Sequence, residues 1–244
     1  MRLYLALSLV IVGLQSYAQN LLVPGGPGVE KKWLKTNTCE MKMYALNDGK
    51  EQELGILTTK TLLGNEYLIV VNEVKINGVN AAWVDTSIAR LAGIAPVRHS
   101  SHNMQRDIEL KFGESVTGYC LDKQQKKNTA INDMPKGKYF DSNIYPVLLS
   151  CLPLTDGYTT DIAIYDYSPD ANSGVMKATV KEVSSTIYQT QKSGSRTVWV
   201  VKVSDQIGNG RNGVMTYYFD KEDRRLWKQE MNAGGRSLLA KRIE

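Results

Sequence analysis

Leu68, Val70, Val74 and Ile76 are apolar, Glu73 and Lys75 between them are charged, and Val79, Ala81 and Trp83 resume the alternation beyond Asn77-Gly78. A period of two puts apolar side chains on one face of a strand, and Asn-Gly supplies the positive φ angles of a tight turn. The stretch therefore predicts a β-hairpin. The same period recurs in Ile108, Leu110 and Phe112 against Asp107, Glu109 and Lys111, in Ile162 and Ile164, and in Met176, Ala178 and Val180 against Lys177, Thr179 and Lys181. Each of these strands would bury one face. Residues 198–203 are apolar on both faces around Trp199 and predict a central strand. Residues 215–219 and 226–231 flank DKEDRR as a further hairpin, so antiparallel neighbours are expected throughout.

One segment breaks the alternation. Ile144, Val147, Leu148 and Cys151 recur at helical spacing, Asn143 can cap, Pro146 falls in the first turn and Pro153 stops the run. The predicted architecture is mostly β, an antiparallel sheet with one packed helix near residues 143–152. If the sheet curves around a helix too small to fill it, an apolar groove remains, with Ile144, Tyr145, Val147, Leu148, Tyr165 and Tyr217 as candidate lining. The competing outcome is that the helix fills the concavity, as close packing favours. Thirteen tyrosines outnumber three phenylalanines. Those at 165, 167, 188, 217 and 218 either rim a groove with their hydroxyls or form cross-strand packing pairs.

Ahead of this pattern, residues 1–20 read MRLYLALSLVIVGLQSYAQN, with one cation at Arg2, an apolar run, and Ser16-Tyr17-Ala18 before Gln19. This is the layout of a secretory signal over residues 1–18, and it predicts an exported chain, periplasmic or facing the cell exterior, soluble after cleavage. The run of about 12 residues is short of the roughly 20 that cross a hydrocarbon layer, so no transmembrane segment is expected in the mature chain. Residues 19–38 hold Pro24, Gly25, Gly26, Pro27 and Gly28, which block helix and ladder alike and predict an extended, unstructured arm. Residues 39–244 are then a single β-rich domain, long enough to bury roughly 70% of its unfolded surface without staples. The formal net charge of +5 is mild and its cations are interspersed with acids, which excludes a nucleic-acid partner. Of three cysteines, Cys151 in LLSCLPL reads as a buried thiol, while a bridge between Cys39 and Cys120 is left open by the sequence.

Candidate chemistry is sparse. GNGRNG at residues 208–213 has the spelling of a dinucleotide loop, but the strand pattern VMTYYFD follows it where a helix is needed, so it reads as a hairpin loop. Val84-Asp85-Thr86-Ser87 lacks the glycine of an aspartic-protease turn and has no second copy. His99 and His102 form HxxH in a predicted loop after Pro96, too few ligands for zinc, so neither metal nor cofactor is expected. Ser100, His102 and Asp107 spell a hydrolase triad only on paper, since such triads are recognised by geometry. Residues 84–103 read as a strand end and a long crossover loop in which Asp85, His99, His102 and Arg106 can form a polar cluster.

Three stretches carry a resemblance: AWVDTSIARLAGIAPVRHSSHNMQRDIELKFG, YFDSNIYPVLLSCLPLTDGY and GVMTYYFDKEDRRLWKQEMNAGGRSLLAKRI. From Ala82 to Ile243 the chain resembles the domain-of-unknown-function family numbered 3108, exported proteins of Gram-negative bacteria. The resemblance implies a fold similar to the lipoprotein-carrier half-barrels, a curved antiparallel sheet over helical material, and it brings no catalytic residues. The chain departs from the carriers in showing one clear helix. The expected function is a non-enzymatic envelope protein binding a lipid or other amphiphile, or an envelope protein partner, on a curved sheet. The alternatives are a hydrolase using the region of Asp85, His99 and His102, and an assembly module with a filled core.

Overall fold

A computed structural model describes residues 21–169, 173–205, 207, 213–233 and 235–244. The expected signal at residues 1–18 and positions 208–212 of GNGRNG lie outside the described residues. The strands are β1 (Leu21–Leu22), β2 (Asn37–Asn47), β3 (Lys50–Leu63), β4 (Tyr67–Ile76), β5 (Trp83–Arg90), β6 (Ala95–His102), β7 (Arg106–Phe112), β8 (Val116–Asp122), β9 (Lys127–Asp133) and β10 (Phe140–Asp141). After the helix α1 (Tyr145–Ser150) come β11 (Thr160–Asp166), β12 (Gly174–Gln189), β13 (Ser195–Asp205), β14 (Gly213–Asp220), β15 (Leu226–Ala233) and β16 (Arg236–Arg242). The fold is mostly β, as the alternation predicts, with one short helix among the described residues.

All sixteen strands belong to one sheet, which runs from β1 through β11 to β16, then through β2 to β9, and does not close. Every pairing from β11 onward is antiparallel, and β1 and β10 lie parallel along the free side of β11. The sheet rolls up until its ends overlap. On β11, Ile162 and Ile164 point into the main core with α1, while Ala163 and Tyr165 on the other face pack against Ile108, Leu110, Val116, Cys120 and Ile131 of β7 to β9. Alternate residues of a strand face opposite sides, so β11 is clasped between the helix and the far end of its own sheet. This explains why β11 is buried along most of its length.

The helix is shorter than its pattern. Ile144, not Asn143, is the N-cap, and the Asn143 side chain bonds Ser87 and Asn72 instead. Pro146 sits in the first turn, where a missing N–H costs nothing. Ile144, Tyr145, Leu148, Leu149 and Leu152 are buried against Leu68, Val70 and Ala89 on one side and Val180, Val201 and Phe219 on the other. The helix thus plugs the sheet between β4–β5 and β11–β14.

Three expectations need correction. The connection after Asn77-Gly78 is longer than a tight turn: Val74 pairs with Trp83, and Val79 and Ala81 lie in the loop. Residues 95–102 form strand β6 rather than a crossover loop, paired with β5 and β7. The arm is not loose: β1 pairs with β11, Gly25 N–H donates to Gly93 O at 2.9 Å, Glu30 N–H donates to Cys151 O at 2.7 Å, and Leu22 and Leu34 enter the core. Cys39, Cys120 and Cys151 are all buried, and no two of them form a disulfide.

Candidate functional site

The concave face beyond the helix is open. Inward positions of β2 to β5 and β14 to β16 enclose a cavity of about 600 Å³, lined by Met43, Leu57, Val74, Ile76, Met215, Met231 and Leu238, with Met104 at its rim. A second cavity of about 550 Å³ shares Leu57, Val74 and Gln229 with the first, so the two adjoin along the groove. Register explains the lining: Met41 pairs with Leu57, Leu57 with Val74, and Met231 with Leu238, which stacks inward side chains into rows.

The second cavity is polar where it meets the helix. Thr59, Asn72, Asp85 and Asn143 form one wall, and Arg224, Arg225 and Arg242 another. Thr59 Oγ1 donates to Asn72 Oδ1 at 2.6 Å, Asn72 Nδ2 to Asn143 Oδ1, and Asn143 Nδ2 to Ser87 Oγ at 3.0 Å. Ser87 Oγ in turn donates to Asp141 Oδ2 at 2.5 Å. His99 Nδ1 lies 3.1 Å from Asp141 Oδ2 and 3.2 Å from Ser87 Oγ. This chain ties β3, β4, β5 and β6 to β10 and so fixes the overlap of the sheet ends.

Burial opposes a charge on His99, but the charge and hydrogen bond of Asp141, with Asp85 and Asp166 beyond, outweigh it and push the imidazole up to about 9. His99 is therefore an imidazolium at neutral pH, donating to Asp141. Serine, histidine and aspartate meet here, yet Ser87 and Asp141 share one ring nitrogen, and Ser87 donates straight to the carboxylate. A hydrolytic relay needs the base to take the serine proton on one nitrogen while the acid holds the other. A protonated histidine beside a fully buried serine has neither capacity.

The predicted polar cluster divides. Asp85 reaches the second cavity and accepts from Trp83 Nε1 at 2.7 Å, whereas Arg106 lines the first. His99 and His102 are three residues apart on one strand, so they face opposite sides of the sheet. His102 points outward, with Nδ1 2.9 Å from Asp107 and Nε2 3.3 Å from Glu109. Among the described residues no group of three metal-ligating side chains comes together. Of the predicted groove residues, Val147 lines the second cavity, but Ile144, Tyr145, Leu148, Tyr165 and Tyr217 are core. Tyr145 donates to Asp205, Tyr165 packs edge-on to Phe112, and Tyr217 stacks on Phe219.

The lining itself was missed by the reading of the sequence, although Cys39, Met41 and Met43 alternate with Glu40 and Lys42. Arg224 carries no such signal. Its residue is 9% exposed, its Nε and Nη1 have no hydrogen-bond partner among the described residues, and its guanidinium lies 4.8 Å from the Trp33 ring. Burial pushes its pKa down, opposed by the charge of Glu30. Arg242 Nη1 donates to Cys39 Sγ at 3.1 Å and more weakly to Leu226 O.

A family model described as "Protein of unknown function (DUF3108)" matches residues 42–241. No curated protein sequence matches the chain. Among solved structures, the chain is similar to the beta-barrel-like protein of domain of unknown function DUF1849 from Brucella abortus, with a TM-score of 0.54 and 12% identity, covering 86% of this chain and 96% of that one. At that identity the likeness concerns the fold alone.

Proposed function

The chain belongs to the DUF3108 family of proteins of unknown function, and from that premise we propose that it is an exported, non-enzymatic binding protein that holds an apolar or amphipathic molecule in the groove of its rolled sheet. The observation that carries the reading is the pair of adjoining cavities, whose volumes of about 600 and 550 Å³ each fall within the roughly 300–1,000 Å³ of ordinary ligand sites. Four methionines, Met43, Met104, Met215 and Met231, contribute to the apolar part. Their unbranched, polarisable side chains adapt to occupants of differing shape. An assembly module with a filled core has no use for such a space, and the arrangement around His99 supports clamping rather than hydrolysis.

Native mass spectrometry of the mildly extracted protein tests the reading, paired with the variant Ala240→Trp, which puts an indole into the groove from β16. The expected result is a co-purifying amphiphile on the unaltered protein and at least about tenfold less on the variant. No bound amphiphile, or equal occupancy in both, overturns it. Export rests on residues 1–18, and intact-mass analysis of protein recovered from the envelope should find a chain starting at or near Gln19. A mass that includes Met1 overturns that part.

A further inference from the structure

The polar end of the groove is lined by more cations than anions. Lys35, Arg224, Arg225 and Arg242 line it against Asp85 and Asp223. Asp223 is held by Arg225 Nη2 at 3.1 Å, and Asp85 accepts the Trp83 indole. Among the described residues Arg242 donates to a thiol and a carbonyl, and Nε and Nη1 of Arg224 are buried without a partner. A cluster of cations brought together at a cavity wall is costly, and an anion arriving in the cavity lowers that cost.

The backbone points the same way. Arg224 has φ +64° in the hairpin between β14 and β15, the left-handed region that glycine occupies without strain. An arginine at such a position stores strain, and its guanidinium sits 4.8 Å from the Trp33 ring while the residue lines the cavity. A planar guanidinium matches a carboxylate or phosphate with two parallel hydrogen bonds. Leu57, Val74 and Gln229 border both this end and the methionine-lined end, which places a head-group site beside a tail site.

We infer that the smaller cavity seats the anionic head group, a carboxylate or phosphate monoester, of a single-chain amphiphile whose hydrocarbon tail lies along the larger cavity, with Arg224 and Arg242 as the head-group ligands. The assignment rests on the groove-binding function proposed above.

The test is displacement of diphenylhexatriene, a neutral fluorescent hydrocarbon, from the delipidated full chain by hexadecanoate, hexadecyl phosphate, hexadecanol and hexadecyltrimethylammonium. Both anions should bind at least about tenfold tighter than hexadecanol, with the cation weakest, because charge-assisted pairs are the strong hydrogen bonds. Arg224→Gln should abolish that preference while leaving hexadecanol unchanged. Arg224→Gly removes the same fork while suiting the left-handed backbone, so it separates lost binding from lost folding. Whichever anion binds tighter names the head group, and either order supports the assignment. Equal affinity for anions and hexadecanol, or an anion preference that survives in Arg224→Gly, overturns it and leaves the groove reading standing. Inorganic phosphate competing as well as hexadecyl phosphate also overturns it, by assigning the site to a free anion. If the diphenylhexatriene probe itself fails to bind, and none of the amphiphiles binds by calorimetry, the groove reading falls as well.

Discussion

The clamp around His99 makes stability depend on pH in a direction that can be worked out. The imidazole is pushed from 6.5 up to about 9 in the folded protein, chiefly by Asp141 against the cost of burial. A group whose folded pKa is raised binds its proton more tightly folded than unfolded, so its stabilisation is complete below 6.5 and is lost as pH rises toward 9. A difference of that size corresponds to roughly 3 kcal/mol, of which about 2 kcal/mol is gone by pH 8.5. For a chain of this length that lowers the thermal midpoint by about 4–8 °C. The window should stop there, because burial raises the Cys39 and Cys151 thiols and their linkage begins as the unfolded thiols ionise near 9. Urea unfolding at pH 6.0, 7.25 and 8.5, followed by tryptophan fluorescence, reads the effect as a falling midpoint. His99→Gln, which keeps a donor but no charge, should be less stable at pH 6 and nearly flat across the window. A flat wild-type profile, or an equal decline in the variant, refutes the clamp.

Core and register set the other expectations. Leu148→Ala empties a fully buried site between α1 and the sheet and should cost about 2–5 kcal/mol in equilibrium unfolding, whereas Val147→Ala on the cavity wall should cost clearly less. Gly118→Ala would place a Cβ 1.8 Å from the Glu109 carbonyl oxygen, forcing β7 and β8 apart, and a large fall in melting temperature is expected; an unchanged transition would refute the close approach. Asp220, 1% exposed, accepts Trp227 Nε1 at 2.9 Å and Arg196 Nε at 2.8 Å, so Asp220→Ala should lose about 3 kcal/mol and shift the tryptophan emission.

Much of the fold was legible because period-two alternation survives in β7, β11, β12 and β14, and because β13 is apolar on both faces. The reading failed where another force decides the structure. Strand β6, APVRHSSH, has no apolar alternation, since its inward face carries His99 and Ser101, and their burial is supported by polar partners. Asp141 is 42 residues from His99 in sequence, a separation no local pattern spans. In β2 the alternation is present, but a register shift after Met43 and the irregular β3 beside it obscure the pairing. The groove was expected beside the helix because apolar helical spacing looks alike whether it faces a cavity or a sheet. The helix packs, and the open space lies on the rest of the concave face.

That displacement follows from lengths. Helix α1 has six residues, about 9 Å at 1.5 Å per residue, whereas β3 and β12, with 14 and 16 residues, extend on the order of 50 Å. Between β9 and β11 the chain has one excursion away from long strands, and it supplies β10, the helix and Leu152 and Leu154 to a single end of the roll. The loops at residues 77–82 and 103–105 border Met43, Leu57, Val74 and Met231 without filling the space between them, so a cavity of about 600 Å³ stays open there. An apolar face left open in this way lowers the stability of the empty protein, and a ligand at a hundred times its Kd would return about 2.7 kcal/mol. The cations Lys35, Arg224, Arg225 and Arg242 line the adjoining cavity. Tail and head of one amphiphile would therefore cover the apolar face and meet the cations together, and two separate occupants would each do only one.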